Sequence, residues 1–249
     1  KMINSAADAG VDICKFQTWS EKNLKDGPWD TDGRREIYQK AELSQDDHLQ
    51  LIEHCKNQNV EFLTSVFNIE DLEFLTKLDM KMIKIPSHEV HNLELIKAAI
   101  KDFNFVLIST GASKWTEVEN IVKSVDLDKV SLMHCVSAYP CPEEKINMPR
   151  LEKLNEICNS VGYSGHLPGI DDALYAMCSG AEYIEKHFTI DNELPGRDNK
   201  FAILPNDMKK LDNFRNLFEK MKIDSGLDLQ ECELDTYNNY RGRWSKNAS

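Results

Sequence analysis

Seven short apolar runs recur along the chain, each closing on polar or ionisable residues: 11–17, 60–65, 82–87, 105–111, 130–135, 161–166 and 183–189. Runs this short and this apolar suit strands buried on both faces, as in a parallel sheet covered by helices. Between them the apolar spacing changes to three and four residues, behind small polar caps. Ser44 opens one helix, carrying Leu49, Leu51, Ile52 and Cys55, and Asn68, Asn92 and Ser113 open three more. Residues 2–10, 148–161, 170–179 and 205–222 complete the helical series. The alternation predicts a parallel sheet with right-handed crossovers, rolled into a (β/α)8 TIM-type barrel. In such a ring the carboxyl ends of the strands converge on one mouth, where barrel enzymes keep their chemistry.

Two segments interrupt the rhythm. Residues 18–42 hold Gly27-Pro28, Asp32-Gly33 and two tryptophans, and predict a long loop over the mouth. Residues 190–204, with Pro195-Gly-Arg-Asp198, follow the last strand on the same side. The barrel is expected over 1–222, and the polar, weakly periodic 223–249 reads as a tail or linker. Seven strands stand against eight helices, and the first element is a helix. An eight-stranded ring therefore implies a further strand before Lys1.

Composition narrows the function. A length of 249 residues suits one large domain, and no apolar stretch reaches the ~18 residues that a membrane span needs. The net charge of -12 disfavours nucleic acid and anionic membranes as partners. Seven scattered cysteines without a CxxC pair, and no charged-then-apolar leader, point to reduced thiols in a cytoplasm. An anionic substrate would have to be gathered by local lysines against an unfavourable global field.

The strand ends supply the candidates. His166 and His187 close the sixth and seventh runs, and neutral imidazoles from adjacent strands can share a divalent metal while leaving positions for water and substrate. His134 is a weaker third candidate; His48, His54, His88 and His91 read as surface or loop residues. Lys15 and Lys84 sit among apolar neighbours, and an inward lysine is costly unless it meets an anion. With Ser87, Ser109, Thr110 and Ser164 they make an anion cradle. Glu185 shares the strand face of His187 and could orient a ligand or take a proton.

Motifs through the chain carry a resemblance. They are Lys15-Phe-Gln17, Phe62-Leu-Thr-Ser-Val-Phe67, Lys84-Ile-Pro-Ser87, Ile108-Ser-Thr-Gly111 and His134-Cys-Val-Ser-Ala-Tyr-Pro-Cys-Pro142, then Gly162-Tyr-Ser-Gly-His166, Glu185-Lys-His-Phe-Thr189 and Pro195-Gly-Arg-Asp198. Together they resemble the catalytic barrel of the sialic acid synthase family, over roughly residues 1–222. The resemblance implies condensation of phosphoenolpyruvate with an N-acetylated hexosamine to a nine-carbon sialic, legionaminic or pseudaminic type of sugar. It implies manganese, or else magnesium or cobalt, on His166 and His187. It implies phosphoenolpyruvate on Lys15, Ser65, Lys84, Ser87, Ser109, Ser137 and Ser164, and sugar contacts from Gln17, Tyr139 and Asp198. Lys15, Lys84 and Glu185 would be the catalytic set, in a cytoplasmic homodimer. The chain departs from the family at Gly165, where Asp is usual, at Thr64-Ser65 and at Pro86. The family's first strand and its small antifreeze-like domain are not seen, although Arg241-Gly-Arg-Trp-Ser245 resembles the start of the link into that domain. Three other readings compete: a different phosphoenolpyruvate-dependent keto-sugar-phosphate synthase, a Schiff-base aldolase on Lys84 or Lys15, and an inactive sugar-binding relic.

Overall fold

The computed structural model describes residues 1–28, 30 and 33–244, so Trp29, Asp32 and Ser245 of the segments above lie outside the described residues. Seven parallel strands follow one another in a single curled sheet, in the order β1 to β7. They are β1 (Ile13–Thr18), β2 (Glu61–Val66), β3 (Met82–Ile85), β4 (Phe105–Ser109), β5 (Val130–Cys135), β6 (Val161–Gly165) and β7 (Tyr183–Lys186). Every neighbouring pair is parallel, and among the described residues no ladder joins β7 to β1. This is the architecture of a TIM-type barrel wall.

The helices are α1 (Met2–Asp8), α2 (Arg34–Ala41), α3 (Gln45–Asn57), α4 (Ile69–Leu75), α5 (Leu93–Asp102), α6 (Trp115–Ser124), α7 (Pro149–Asn155), α8 (Asp171–Cys178) and α9 (Pro205–Met221). Ser44 caps α3 in a full capping box with Asp47, and the Asn68 and Asn92 side chains accept from the third amides of α4 and α5. Two expectations need correction. Segment 18–42 is not all loop, because it folds α2, and Arg35 ties this stretch together by binding Glu21, Asp26, Asp30 and the Leu24 carbonyl. Ser113 does not cap α6; its hydroxyl donates to Thr110 O at 2.7 Å, and the helix starts one residue later, behind Lys114.

Strand alternation sorts the side chains. Ile83, Ile85, Val106, Ile108, Val130, Leu132 and Val161 turn outward and pack with Leu95, Ile96, Ile121 and Leu151 of the helices as the main core. On the inner face, Leu63, Leu107 and Met133, packed with Ile13, Met82, Phe105 and Tyr183, form a separate apolar floor. Polar side chains occupy the next residues along the same face. By its internal contacts the chain divides into two units, Lys1–Arg215 and Asn216–Ser249, and the sheet belongs to the first.

Candidate active site

Directly above the floor, three strands aim polar groups at one carboxylate oxygen. Lys84 Nζ donates to Glu185 Oε1 at 2.6 Å, Ser164 Oγ donates to it at 2.9 Å, and Lys15 Nζ lies 3.5 Å away. Ser164 and Glu185 are register partners on β6 and β7, so these side chains meet because the ladder sets them side by side. Burial pulls the Lys84 ammonium down, and the charge of Glu185 opposes that pull. Burial would raise Glu185, but Lys15 and Lys84 outweigh it and hold the carboxyl well below the usual carboxylate range. The result is a fixed anion between two cations.

Hydroxyls surround this cluster. Ser65 is the register partner of Lys84, and its Oγ donates to Phe16 O at 3.4 Å. Ser87 Oγ accepts from the Gly111 amide at 3.1 Å and donates to Cys135 Sγ at 3.5 Å, with Ser137 Oγ 4.0 Å from the same sulfur. Ser109 Oγ is buried and has no hydrogen-bond partner among the described residues. Leaving a buried hydroxyl unsatisfied costs about 1–3 kcal/mol, a cost that an incoming acceptor would remove. Gly111 keeps this space open: a Cβ there would lie 2.4 Å from Ser137 Oγ and 2.7 Å from Ser87 Oγ. Thr110, by contrast, is not part of the cradle, since its hydroxyl is spent on Met133 O.

His166 and His187 follow the last residues of β6 and β7, and their ring centroids are 5.3 Å apart. His166 Nδ1 donates to Val136 O at 2.9 Å, and His187 Nδ1 lies 3.3 Å from Asp198 Oδ2. The Val136 carbonyl fixes the His166 ring proton on Nδ1, so Nε2 is the nitrogen left for a ligand. Burial, with Lys15 and His166 nearby, pushes His187 down to about 3, so its imidazole is neutral at ordinary pH. Two imidazoles side by side at neighbouring strand ends suit a divalent cation. Among the described residues no group of three or more His, Cys, Asp or Glu converges on one metal position, so any remaining ligands would not come from this set.

The Tyr139 ring lies tilted with its centroid 4.2 Å from that of His166 and 6.3 Å from that of His187; Phe201 is 5.1 Å from His187. Gln17 lies beyond Lys15 on the same strand face, opposite Ser65. The structure therefore brings together the lysines, Glu185, the serines and the histidine pair, with Tyr139 and Asp198 on the histidine side. His134 faces outward, where its Nε2 donates to Ile146 O at 2.7 Å, so it is no third metal candidate. His48 is not a surface residue either: it is buried and hydrogen-bonded to Thr18 Oγ1. Sequence reasoning missed Phe201 and the spacing role of Gly111. Phe201 carries no chemical signature, but the Gly following a strand-end Ser-Thr was readable as a close approach.

The NeuB family model matches residues 2–224. The chain belongs to the NeuB family. Among its relatives are the N,N'-diacetyllegionaminic acid synthase of Campylobacter jejuni (34% identical, covering 85% of this chain and 68% of the relative) and the N-acetylneuraminate-9-phosphate synthase of Drosophila melanogaster (34%, covering 85% and 61%). A pseudaminic acid synthase of Campylobacter jejuni is 30% identical over 94% of this chain and 73% of the relative. The chain thus spans about two thirds of the length of its curated relatives. The N-acetylneuraminic acid synthetase of Leptospira borgpetersenii, solved with citrate, superposes with a TM-score of 0.86 at 30% identity over 97% of this chain and 86% of that one. A heptonate aldolase (DAHP synthase) of Thermotoga maritima, at 14% identity and a TM-score of 0.66, shares the barrel fold. The NeuB resemblance of the motifs is therefore a family membership, and the named relatives are synthases.

Proposed function

We propose that this NeuB chain forms the catalytic barrel of a synthase that condenses phosphoenolpyruvate with an N-acetylated hexosamine. The products are a nine-carbon sialic-acid-like sugar and inorganic phosphate. The observation that carries the reading is the Lys15–Glu185–Lys84 cluster, set beside the orphan Ser109 hydroxyl and the two histidines. Two ammonium groups and a ring of hydroxyl and amide donors suit a small multiply charged anion. The two imidazoles suit a metal facing a neutral sugar.

In this reading Lys15, Lys84 and the hydroxyls of Ser65, Ser87, Ser109, Ser137 and Ser164 hold the phosphate and carboxylate. The enol carbon C3 then attacks the acceptor aldehyde and forms the new carbon–carbon bond. Water captures the cationic C2, and phosphate departs with cleavage of its bond to C2. A divalent ion on His166 and His187, manganese or else magnesium or cobalt, would supply a Lewis acid that polarises the aldehyde and templates the approach. Glu185, flanked by both cations, keeps the lysines aimed inward and is the group proposed to handle the proton between water and the aldehyde oxygen. Gln17, Tyr139 and Asp198 contact the sugar. Holding two reactants in line is the main task, so displacing these groups by fractions of an ångström costs rate. A cytoplasmic homodimer completes the proposal; no described helix is long and apolar enough to cross a membrane.

The test is turnover by the full-length protein with phosphoenolpyruvate, manganese and a panel of N-acetylated hexosamines. Phosphoenolpyruvate labelled with 18O at its bridging oxygen should deliver the label to phosphate, and a chelator should stop the reaction. Pyruvate trapped on Lys84 or Lys15 by borohydride, with turnover indifferent to the chelator, would instead establish a Schiff-base aldolase. Release of a keto sugar only from a phosphorylated acceptor that carries no N-acetyl group would also overturn the assignment.

A further inference from the structure

Behind the histidine pair, on the outer face of β6 and β7, lies a buried ionic cluster that the chemistry above does not use. Lys186 alternates with Glu185 and His187, so its side chain turns away from the mouth and under α8. Its Nζ donates to Asp172 Oδ1 at 3.0 Å, to Asp172 Oδ2 at 2.9 Å and to Leu167 O at 2.7 Å. Asp172, in the first turn of α8, also accepts from Tyr163 Oη at 2.9 Å and from the Ala173 amide at 2.8 Å. The two charged side chains are 2% and 0% exposed. Every donor of the ammonium is spent, and the cluster reaches both histidine segments: Leu167 follows His166, and Lys186 itself precedes His187.

Gly165 makes room for this arrangement. It pairs in register with Lys186, and a Cβ on it would lie 2.3 Å from Asp172 Oδ2 and 2.6 Å from Tyr163 Cε1. The space that a side chain at the end of β6 would fill is therefore taken by a carboxylate delivered from the helix. A buried ammonium needs one counter-charge here, and two carboxylates would repel each other while competing for it.

We propose that Asp172, Lys186 and Tyr163 form a positioning clamp for His166 and His187. In this clamp the carboxylate can come from position 172 or from position 165, but not from both. The inference rests on the assignment of the two histidines to a metal. It concerns these residues as positioning groups, since none of them touches the mouth.

Four variants of the full-length protein test it, read by manganese binding in electron paramagnetic resonance titrations and by thermal unfolding without metal. Asp172→Ala should weaken manganese binding about 10–100-fold, the range for loss of a group that orients a metal ligand. Gly165→Asp should lower the unfolding temperature of the apo protein. The double exchange, Gly165→Asp with Asp172→Ala, should recover most of both losses; relief of the overlap at position 165 alone would restore the unfolding temperature but not manganese binding. His166→Ala is the control: if it leaves manganese binding unchanged, the metal assignment itself fails. If His166→Ala abolishes binding while Asp172→Ala leaves it intact, or if the double exchange is no better than the worse single variant, the clamp is overturned.

Discussion

At the level of single residues, Lys84 and Lys15 show how burial divides equal charges into unequal roles. Lys84 is nearly sealed, with its side chain 4% exposed, and makes the short contact to Glu185; Lys15 keeps 21% of its side-chain surface and stands farther off. Lys84→Met should therefore destabilise the fold by about 3–5 kcal/mol, because it leaves a carboxylate only 16% exposed short of its main partner. Lys15→Met should cost clearly less. Adding Glu185→Leu to Lys84→Met should return much of the loss, and urea unfolding of the three variants measures that coupling. Both lysine variants should weaken phosphoenolpyruvate binding more than sugar binding in calorimetric titrations. The apolar neighbours of these lysines made their inward aim legible in the sequence. The shared carboxylate oxygen was not, because it follows from the register between strands remote in the chain.

His134 carries a pH prediction of its own. Burial holds its imidazole below the usual histidine range, with a nearby Arg150 adding to the effect and the Ile146 carbonyl opposing it. Its folded pKa is depressed, so its neutral form is the stable one. Its contribution is intact above the unfolded value near 6.5 and is lost as pH falls below that value, where the unfolded chain takes up the proton first. His134→Gln can keep a donor toward Ile146 O. It should flatten the decline in Tm between about pH 7 and 5, and an unchanged slope in that window would remove His134 as the cause.

Among the elements, strands and capped helices were legible where local chemistry alone decides them. The Ser44 box of α3 is one such case, and Ser44→Ala should cost about 1 kcal/mol of stability without touching the mouth. Legibility failed where a distant partner decides. Helix α2 is stitched by Arg35 to acidic residues across its preceding loop, and Ser113 leaves its capping position to bind Thr110 O. Asp172 looked like an ordinary first-turn acid of α8 until the approach of β7 gave it a lysine. The turn after β4 makes the same point for the cradle. Gly111→Ala must push aside the Ser87 and Ser137 hydroxyls. It should therefore reduce affinity for inorganic phosphate by about tenfold or more, a loss of roughly 1.4 kcal/mol, while far-ultraviolet circular dichroism stays unchanged.

For the sheet as a whole, burial is graded. All residues of β5 and β6 are buried, whereas in β1 only Cys14 and Thr18 are buried and every residue of β7 is partly exposed. Strands β5 and β6 are paired on both sides and lie within the main core; β1 and β7 each have one paired neighbour among the described residues. Amide exchange follows the free energy of local opening, which rises with buried apolar contact and with pairing on both edges. Hydrogen–deuterium exchange should therefore be slowest in β4, β5 and β6 and measurably faster in β1 and β7, the two strands that carry Lys15 and Glu185. Phosphoenolpyruvate bridges both strands in the proposed site, so its addition should slow exchange in β1 and β7 more than in β5. Equal protection across all seven strands without ligand would mean that the outer edges of β1 and β7 are covered in solution. A ligand effect confined to β5 and β6 would place the anion elsewhere in the mouth.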